Sequence, residues 1–346
     1  MAAPLPPIML LTCGDPAGIG PEVAVRAWAA PASHDRARLR IVADPAMLGA
    51  TVAGRQGMPA LPVTVIDADD ERLSTAAELL VVTPAGLPAE AVMPGAASAA
   101  GGRQAAAAVL AALKMVRDGR AAAIVTGPLH KAALHAAGYD VPGHTELLAR
   151  GCGLSDTAAS MMLWLPPTAA TAGLGVVHAT LHQSLRTAVA DLSAERIEAA
   201  GRRLHGLLAA LVGRPPRIAV AALNPHGGED GLFGDEEQRL VAPAVARLRA
   251  AGVDATGPLP ADTLFLRASR GGFDGVVALY HDQGHIPVKL LGMHRAVNIT
   301  LGLPLVRTSV AHGTAFDIVG QGRADPASMV SAIDAAARLV EARWAG

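Results

Sequence analysis

The stretch "GVVALYHDQGHIPVK", residues 275–289, joins a short apolar run directly to two histidines, an aspartate and a lysine. An apolar run of about four to eight residues is typical of a strand that is buried on both faces. The side chains that follow it could bind a metal, protons or anions. The stretch therefore predicts a buried strand followed by a loop whose side chains could bind a ligand or take part in a reaction.

The same alternation runs along the whole chain. Apolar runs typical of buried strands occupy residues 8–12, 40–43, 122–127, 174–180, 217–223 and 275–280. Helical periodicity lies between them at 104–119, 193–212 and 235–252, with Ser193 and Asp235 at N-cap positions and Gly119 and Gly252 at C-cap positions. Strands that alternate with helices predict an α/β fold with a largely parallel sheet covered by helices on both faces.

The composition narrows the classes of function. Of the 346 residues, 51% are apolar and 17% are charged, which favours a large folded core over disorder. The formal net charge is −1 and no lysine or arginine run exceeds a pair, which argues against a nucleic-acid or membrane partner. Cys13 and Cys152 are too few for a disulfide scaffold or a four-thiolate zinc site. Because no basic signal-peptide start or membrane span is evident, we expect a soluble cytoplasmic protein.

Histidines are concentrated where the predicted strands end. Ligands bind beyond the carboxyl ends of strands in parallel sheets, so the segments after each apolar run are candidate site loops. Four of the five segments considered carry histidine beside glycine or proline: "GPLHKAALHAAGYDVPGHTE", "LHQSLR", "NPHGGEDG" and "HDQGHIPVK". Polar chemistry is therefore expected at one edge of the sheet.

Three of these histidines form a candidate metal site. His182, His226 and His281 lie in separate strand-end loops, and three imidazoles with an open position suit a catalytic divalent metal. Asp262 and Asp282 could be outer partners of the ligands, further ligands or a general base. A lone histidine in such a loop is more often structural, so the hypothesis depends on the joint pattern.

His285 lies four residues after His281, the spacing of one helical face. Gly284 and Pro287 argue for a loop instead, so we assign His281 to the metal and give His285 a structural or lining role.

A candidate anion site follows the same loop. Lys289, Asn298 and Arg307 offer an ammonium, an amide and a guanidinium, and the planar guanidinium suits phosphate. The alternative for each residue alone is a solvated or capping role.

Two glycine-containing segments could lie near a bound ligand. "GDPAGIGPEV", residues 14–23, follows a strand and opens a helix, and it is interpreted equally well as an anion-binding loop or as a tight turn. "AHGTAFDIVGQG", residues 311–322, offers His312, Gly313 and Asp317.

Taken together and in order, the motifs resemble the 4-hydroxythreonine-4-phosphate dehydrogenase family. The matching segments extend from residue 14 to about 322 and read "GDPAGIGPEV", "TGPLHKAALHAAG", "PGHTELLA", "LNPHGGEDGLFGDEE", "GPLPADTLF", "YHDQGHIPVK" and "VNITLGLPLVRTSVAHGTAFDIVGQG". "GDPAGIGPEV" and "HGTAFDIVG" are also similar to segments of the more distant isopropylmalate and isocitrate dehydrogenases.

The resemblance implies two α/β/α domains with a cleft between them. We expect residues 1–125 with 295–346 to form the first domain, on the NAD side, and residues 126–294 to form the second, which carries the metal, substrate and dimerisation surfaces. It also implies a homodimer with its active site at the subunit interface.

The resemblance further implies oxidation of a secondary alcohol by NAD with a divalent metal. Zinc is favoured, and magnesium, cobalt and manganese stay open. The implied substrate is 4-phosphohydroxy-L-threonine, whose oxidation product, 2-amino-3-oxo-4-phosphooxybutanoate, decarboxylates to 3-amino-2-oxopropyl phosphate in pyridoxal phosphate biosynthesis. The implied metal ligands are His182, His226 and His281, and the implied substrate contacts are His144, Thr145, Lys289, Asn298 and Arg307. The catalytic candidates are Asp262 and Asp282, with His285 as a further candidate for the base, and NAD is expected near His312, Gly313 and Asp317.

Some residues depart from the family pattern. "HATLHQSLR" makes His178 a rival to His182, and Ala311 stands where the family often has aspartate. The same segment resembles a branch that oxidises aromatic dihydrodiols, and "GHIPVKLLG" resembles one that acts on D-threonate or D-erythronate 4-phosphate. Metal-dependent hydrolysis and a non-catalytic metal- or phosphate-binding protein are further alternatives.

Overall fold

The computed structural model describes residues 5–156 and 158–344, which divide into two compact units. The first unit runs up to Ser160 and resumes at Gly302, and the second is Met161–Leu301. The sequence predicts the first boundary near 125 and the return near 295. The boundary lies later because the strand at Ala123–Thr126 pairs with Ile8–Thr12, and the helices that follow it pack on the helix Ala99–Arg117.

The first unit is built on a parallel sheet. Its strands are β1 (Ile8–Thr12), β2 (Arg38–Val42), β3 (Val63–Val65), β4 (Leu79–Val82), β5 (Ala123–Thr126) and β12 (Val306–Val310), in the order β3-β4-β2-β1-β5-β12. Its helices are α1 (Gly20–Trp28), α2 (Pro45–Gly54), α3 (Ala99–Arg117), α4 (Lys131–Ala136), α5 (His144–Gly151) and α11 (Ala327–Glu341). The recorded strand pairs in this unit are all parallel.

The second unit has a mixed sheet. Its strands are β6 (Ser160–Leu165), β7 (Leu174–His178), β8 (Ile218–Ala221), β9 (Ala255–Leu259), β10 (Gly275–Ala278) and β11 (Val297–Leu301), in the order β11-β6-β7-β10-β8-β9. Its helices are α6 (Leu185–Ala190), α7 (Ala194–Val212), α8 (Ala242–Ala250), α9 (Ala261–Ser269) and α10 (His281–Gly292). β6 is antiparallel to β7, whereas β7, β10, β8 and β9 are parallel.

The central strands are buried on both faces, as their uninterrupted apolar sequences predict. Met9, Leu10 and Leu11 of β1 and Ile124 and Val125 of β5 are completely buried. Helices α3 and α11 both pack on β5. Because both faces of this strand are covered, polar and apolar residues do not alternate along it. The predicted α/β fold class is confirmed.

Local signals fix most helix ends. Ser193 caps α7 by accepting a hydrogen bond from the Arg196 amide at 3.3 Å, and Gly119 and Gly252 adopt left-handed φ values of 74° and 81° after their helices. The predicted N-cap at Asp235 is confirmed, because the helical run begins at Glu236 and the Arg239 amide donates to Asp235 O at 2.9 Å, although the turn at Glu237–Val241 that leads into α8 is π-helical. There the buried Glu237 carboxylate accepts hydrogen bonds from two backbone amides after β8.

Among the helices of the described residues, none is both long enough and apolar enough to span a membrane.

Candidate active site

Helix α10 carries the centre of the candidate site, and the sequence-based interpretation of its first turns as a loop is wrong. His281 begins the helix, and Pro287 lies inside it. Gly284 is required by packing rather than by a turn, since an added Cβ would overlap His178 Nε2 and come within 2.8 Å of Val176 Cγ1 on β7. The glycine therefore lets the helix lie close against the strand.

The helix brings four imidazoles of the second unit together. The rings of His281 and His285 stack with centroids 3.8 Å apart and 8° between their planes. The His178 ring centroid lies 4.6 Å from that of His285, and their Nε2 and Nδ1 atoms are 3.1 Å apart. The His182 centroid is 5.8 Å from that of His281. The His281 ring thus stacks on one imidazole and lies near a second.

Two imidazoles of this cluster are held neutral. Burial, followed by the nearby rings of His285 and His281, lowers the pKa of His178 to about 3. Burial and the nearby His281 lower the pKa of His285 to about 4. Both rings therefore keep an unprotonated nitrogen at neutral pH.

His178 and His182 differ in what surrounds them. His178 ends β7 beneath Gly284, and its Nε2 lies against His285. His182 lines a pocket of about 560 Å³ together with Tyr280, His281, Asp282 and the 180–185 loop. The pocket favours His182 over its rival as the residue that can reach a ligand together with His281.

Two of the histidines are oriented by carboxylates. His281 Nδ1 lies 2.7 Å from Asp282 Oδ1, and His226 Nδ1 lies 2.9 Å from Glu229 Oε1. An ionised carboxylate only accepts hydrogen bonds, so each Nδ1 carries the proton and each Nε2 presents its lone pair. Histidines that bind zinc are commonly held in this way.

The donor set fits a divalent metal in chemistry but is not assembled as a complete site. A zinc–nitrogen bond is about 2 Å, so two imidazoles on one ion have ring centres roughly 5 to 6 Å apart, as His182 and His281 have. His226 instead lies against Phe233, with ring centroids 6.4 Å apart. Across residues 5–156 and 158–344, no three His, Cys, Asp or Glu side chains are arranged to hold a metal ion.

The backbone at two of the predicted ligands is left-handed. His182 has φ 32°. His226, Gly227, Gly228, Glu229 and Asp230 form a continuous run with φ between 42° and 81°. A left-handed non-glycine residue costs about 1–2 kcal/mol, and such strain is concentrated at functional sites.

The predicted catalytic aspartates differ in their surroundings. Asp282 is bound to the His281 ring, as described above. Asp262 is exposed in the first turn of α9 and keeps its side chain toward solvent.

Three predicted substrate contacts lie in the first unit. His144 and Thr145 open α5, and Arg307 is the second residue of β12. The His144 Nε2 atom is buried with no hydrogen-bond partner. Burial and the charge of Arg307 hold the pKa of His144 well below its usual range, so it is a neutral donor or acceptor at pH 7.

Arg307 is a buried cation. It is 2% exposed, and its Nη2 donates to Thr126 Oγ1 at 2.6 Å. Burial, partly offset by Glu146, lowers its pKa to about 10, so the guanidinium stays charged at pH 7. A buried cation beside an unsatisfied imidazole is well suited to an anionic ligand.

The other two predicted substrate contacts lie in the second unit. Lys289 is exposed on α10. Asn298, on β11, has a buried Oδ1 with no hydrogen-bond partner, and its Nδ2 lies 3.9 Å from Met161 Sδ. The unsatisfied amide oxygen is available to a ligand hydroxyl or amine.

The predicted cofactor segment packs on the glycine loop of the first unit. The Ile19 amide donates to Thr314 O at 2.9 Å, and Gly20 has no room for a Cβ because of Cys13 O. "GDPAGIGPEV" is thus a tight strand-to-helix turn. His312 has a buried Nε2 without a hydrogen-bond partner, whereas Gly313 and Asp317 are exposed. At Ala311 the backbone amide donates to Ser328 Oγ.

Sequence reasoning missed Glu229 and the part played by His178. The spacing of Glu229, three residues after His226, is the only signal of their contact in the sequence. The His178–His285 contact depends on α10 being a helix, which the sequence did not predict.

These features define a class of protein: a two-unit α/β protein with carboxylate-oriented histidines after the strands of one unit and a buried arginine in the other. The family described as "Pyridoxal phosphate biosynthetic protein PdxA" matches residues 35–336. The chain belongs to this family and is an enzyme of its dehydrogenase type.

Relatives match over nearly the whole length. The chain is 43% identical over 346 residues to a 4-hydroxythreonine-4-phosphate dehydrogenase of Xanthobacter autotrophicus, covering 99% of this chain and 95% of the relative. It is 44% identical over 342 residues to a D-threonate 4-phosphate dehydrogenase of Cupriavidus necator, covering 97% and 98%. A solved 4-hydroxythreonine-4-phosphate dehydrogenase from Klebsiella pneumoniae superposes with a TM-score of 0.81 at 42% identity, covering 98% and 99%.

Proposed function

We propose that the protein oxidises the secondary alcohol of 4-phosphohydroxy-L-threonine with NAD and a divalent metal, preferably zinc. The observation that carries the proposal is the pair His182 and His281 at one pocket, with the His281 Nε2 freed by the Asp282 hydrogen bond. The relatives named 4-hydroxythreonine-4-phosphate dehydrogenase support this substrate.

His182, His226 and His281 would hold the metal through imidazole nitrogens. When bound, a divalent metal lowers the pKa of a substrate hydroxyl and polarises the ketone that forms. Asp282 keeps the His281 ring in the tautomer whose Nε2 can bind the metal. The role of this carboxylate is therefore to orient His281. That contact leaves Asp262 and His285 as the candidates to accept the hydroxyl proton.

The reaction balances without a further reactant. The C–H bond of the alcohol breaks as hydride passes to NAD, and the hydroxyl proton passes to the base. The ketone so formed is 2-amino-3-oxo-4-phosphooxybutanoate, whose C–COO⁻ bond breaks with loss of carbon dioxide while the same carbon takes up a proton, to give 3-amino-2-oxopropyl phosphate. With this substrate, we predict that the protein acts in pyridoxal phosphate biosynthesis and is located in the cytoplasm.

Arg307 and His144 would bind the phosphorylated substrate from the first unit, with Thr145 beside them. Lys289 and Asn298 are the corresponding contacts in the second unit. The buried charge of Arg307 and the unsatisfied His144 Nε2 support this role, because an anion compensates both. His312, Gly313 and Asp317 would lie against NAD, and the buried His312 Nε2 is the atom that favours a contact there.

A homodimer is proposed through the second unit. Ile286, Leu290 and Met293 are 54%, 83% and 46% exposed and recur at the spacing of one helical face. A second copy would cover these apolar side chains. Leu290→Glu should then convert a dimer into a monomer in light scattering, whereas Met93→Glu, on an exposed loop of the first unit, should not.

A second substrate is supported by a specific finding. D-threonate 4-phosphate dehydrogenases are as similar to the chain as the relatives named for 4-hydroxythreonine 4-phosphate. Both substrates carry a phosphate and a secondary alcohol, so the same residues would serve either one.

The test is NADH formation by metal-loaded protein with 4-phosphohydroxy-L-threonine, D-threonate 4-phosphate, D-erythronate 4-phosphate and an aromatic dihydrodiol. Turnover of the first, lost in His281→Ala, supports the proposal. If only one of the other three is turned over, that compound is the substrate instead. If none of the four gives NADH, the substrate assignment is overturned.

A further inference from the structure

Glu229 makes a contact that neither the motifs nor the proposed reaction uses. Its Oε1 lies 2.9 Å from Nδ1 of His226, three residues earlier on the same loop. Both side chains are exposed, at 66% for His226 and 48% for Glu229. An exposed ion pair of this kind adds little stability, so stability alone does not account for the arrangement.

The backbone shows that the contact is held against a conformational cost. Glu229 has φ 42° and ψ 61°, and His226 has φ 54° and ψ 22°. A glutamate in the left-handed region is disfavoured, whereas a glycine there is not. Both residues between them are glycine, whereas His226, Glu229 and the following Asp230 are non-glycine residues with left-handed backbone.

The same arrangement recurs at a second site in this unit. His281 donates through Nδ1 to Asp282, its neighbour in sequence, at 2.7 Å. Two histidines on different elements, one on a loop after β8 and one at the start of α10, thus have the same nitrogen engaged by a carboxylate. In both, the exposed nitrogen with a lone pair is Nε2.

We propose that Glu229 is the positioning residue of His226: it fixes the proton on Nδ1 and so presents Nε2 to a divalent metal. This inference rests on the proposed role of His226 as a ligand. Glu229 itself touches neither metal nor substrate. Loss of a carboxylate behind a ligating histidine typically weakens metal binding about 10- to 100-fold.

The first experiment observes the tautomer of His226 in the metal-free full-length protein. Nitrogen-15 NMR should show His226 as the Nδ1–H form in the wild type and a shift toward Nε2–H in Glu229→Ala, which removes the acceptor. Asp230→Ala is the matched control, because Asp230 is an exposed carboxylate in the same left-handed run, and it should leave the His226 signal unchanged. An unchanged signal in Glu229→Ala would overturn the proposal whatever the function of the protein.

The second experiment measures zinc affinity by competition with a chelating dye in a double-mutant cycle. Glu229→Ala should weaken binding at least 10-fold in the wild type and have no further effect in His226→Ala. If His226→Ala leaves the affinity unchanged, the proposed ligand is wrong. If His226→Ala weakens binding but Glu229→Ala does not, the positioning role is wrong and the ligand stands.

Glu229→Gly separates positioning from a structural role. Glycine relieves the left-handed backbone, so the midpoint of thermal unfolding should not fall while zinc affinity does. If the midpoint of thermal unfolding and the zinc affinity both fall, the glutamate only supports the loop, which contradicts the proposal.

Discussion

The rings of His281 and His285 lie face to face, 3.8 Å apart and only 8° from parallel. His285 in turn shares a hydrogen bond with His178 through Nδ1 and Nε2. The three rings form a continuous layer between α10 and β7, and this layer fixes the plane of His281. Its integrity depends on the inner two rings staying uncharged.

Acid should therefore weaken the fold through this layer. The folded-state pKa values of His178 and His285, about 3 and about 4, lie below the unfolded value of 6.5. The unfolded chain then binds protons that the folded chain does not, so stability is retained above pH 6.5 and falls as the pH drops toward 4. Each such proton contributes a slope of about 1.4 kcal/mol per pH unit.

The measurement is urea unfolding of chelator-treated protein between pH 7 and 4. His178→Gln should flatten the pH dependence, while His135→Gln, on an exposed residue of α4, should not. Superimposable profiles for wild type and His178→Gln would contradict the assignment.

Gly284→Ala should loosen the contact between α10 and β7. Its Cβ has no room beside His178 and Val176, and overpacking of this kind costs about 1–3 kcal/mol. Gly206→Ala is the control, because nothing lies within 4 Å of a Cβ at that helical position, and it should instead add up to about 1 kcal/mol. Urea unfolding compares the two, and equal effects would show that Gly284 is not a packing glycine.

Arg307→Lys should weaken substrate binding more than turnover. The substitution keeps the charge but loses the planar fork and the 2.6 Å bond to Thr126 Oγ1. We expect KM for a phosphorylated substrate to rise at least about 10-fold, equivalent to about 1.4 kcal/mol, with a smaller change in kcat. Arg323→Lys, at an exposed position, is the control in steady-state kinetics. An unchanged KM would remove Arg307 from the phosphate site.

Ala315→Gly should stabilise the protein. Ala315 has φ 43° and ψ 56°, a conformation that costs an L-residue about 1–2 kcal/mol. Part of the gain is offset by the greater freedom of glycine in the unfolded chain, which leaves up to about 1 kcal/mol. Thermal unfolding against Ala209→Gly, which should destabilise α7, measures the effect. A lower midpoint for Ala315→Gly would contradict this.

Strands β1, β2, β5, β7, β8 and β10 were predictable because burial on both faces leaves a short apolar run in the sequence. Strands β4, β6, β11 and β12 are also largely buried but were not predicted, and β12 (VRTSV) carries arginine, threonine and serine at buried positions. Strand β3 (VTV) is half-exposed at the sheet edge, and β9 (ATGPL) contains glycine and proline, so neither carries that signal. Helix α10 was interpreted as a loop because Gly284 and Pro287 disfavour helices locally. Packing against β7 outweighs that preference.

The site was only partly predictable for related reasons. The α/β pattern places histidines after several strands. Their contacts, however, depend on the geometry of a helix and on a left-handed backbone conformation that non-glycine residues rarely adopt. The stacking on His281 requires α10, and the Glu229–His226 contact requires the left-handed run. Neither is encoded in residue type or spacing alone.

The run from His226 to Asp230 winds in the sense natural to mirror-image amino acids. Its shape is held by a residue outside the run: Glu237 accepts hydrogen bonds from the amides of Leu223 and Asn224, which directly precede the run. A synthetic peptide of the same L-sequence would therefore not reproduce the loop. A peptide with D-residues at the positions of Glu229 and Asp230 would be closer to it, which makes chirality, rather than sequence, the property to copy in a mimic of this site.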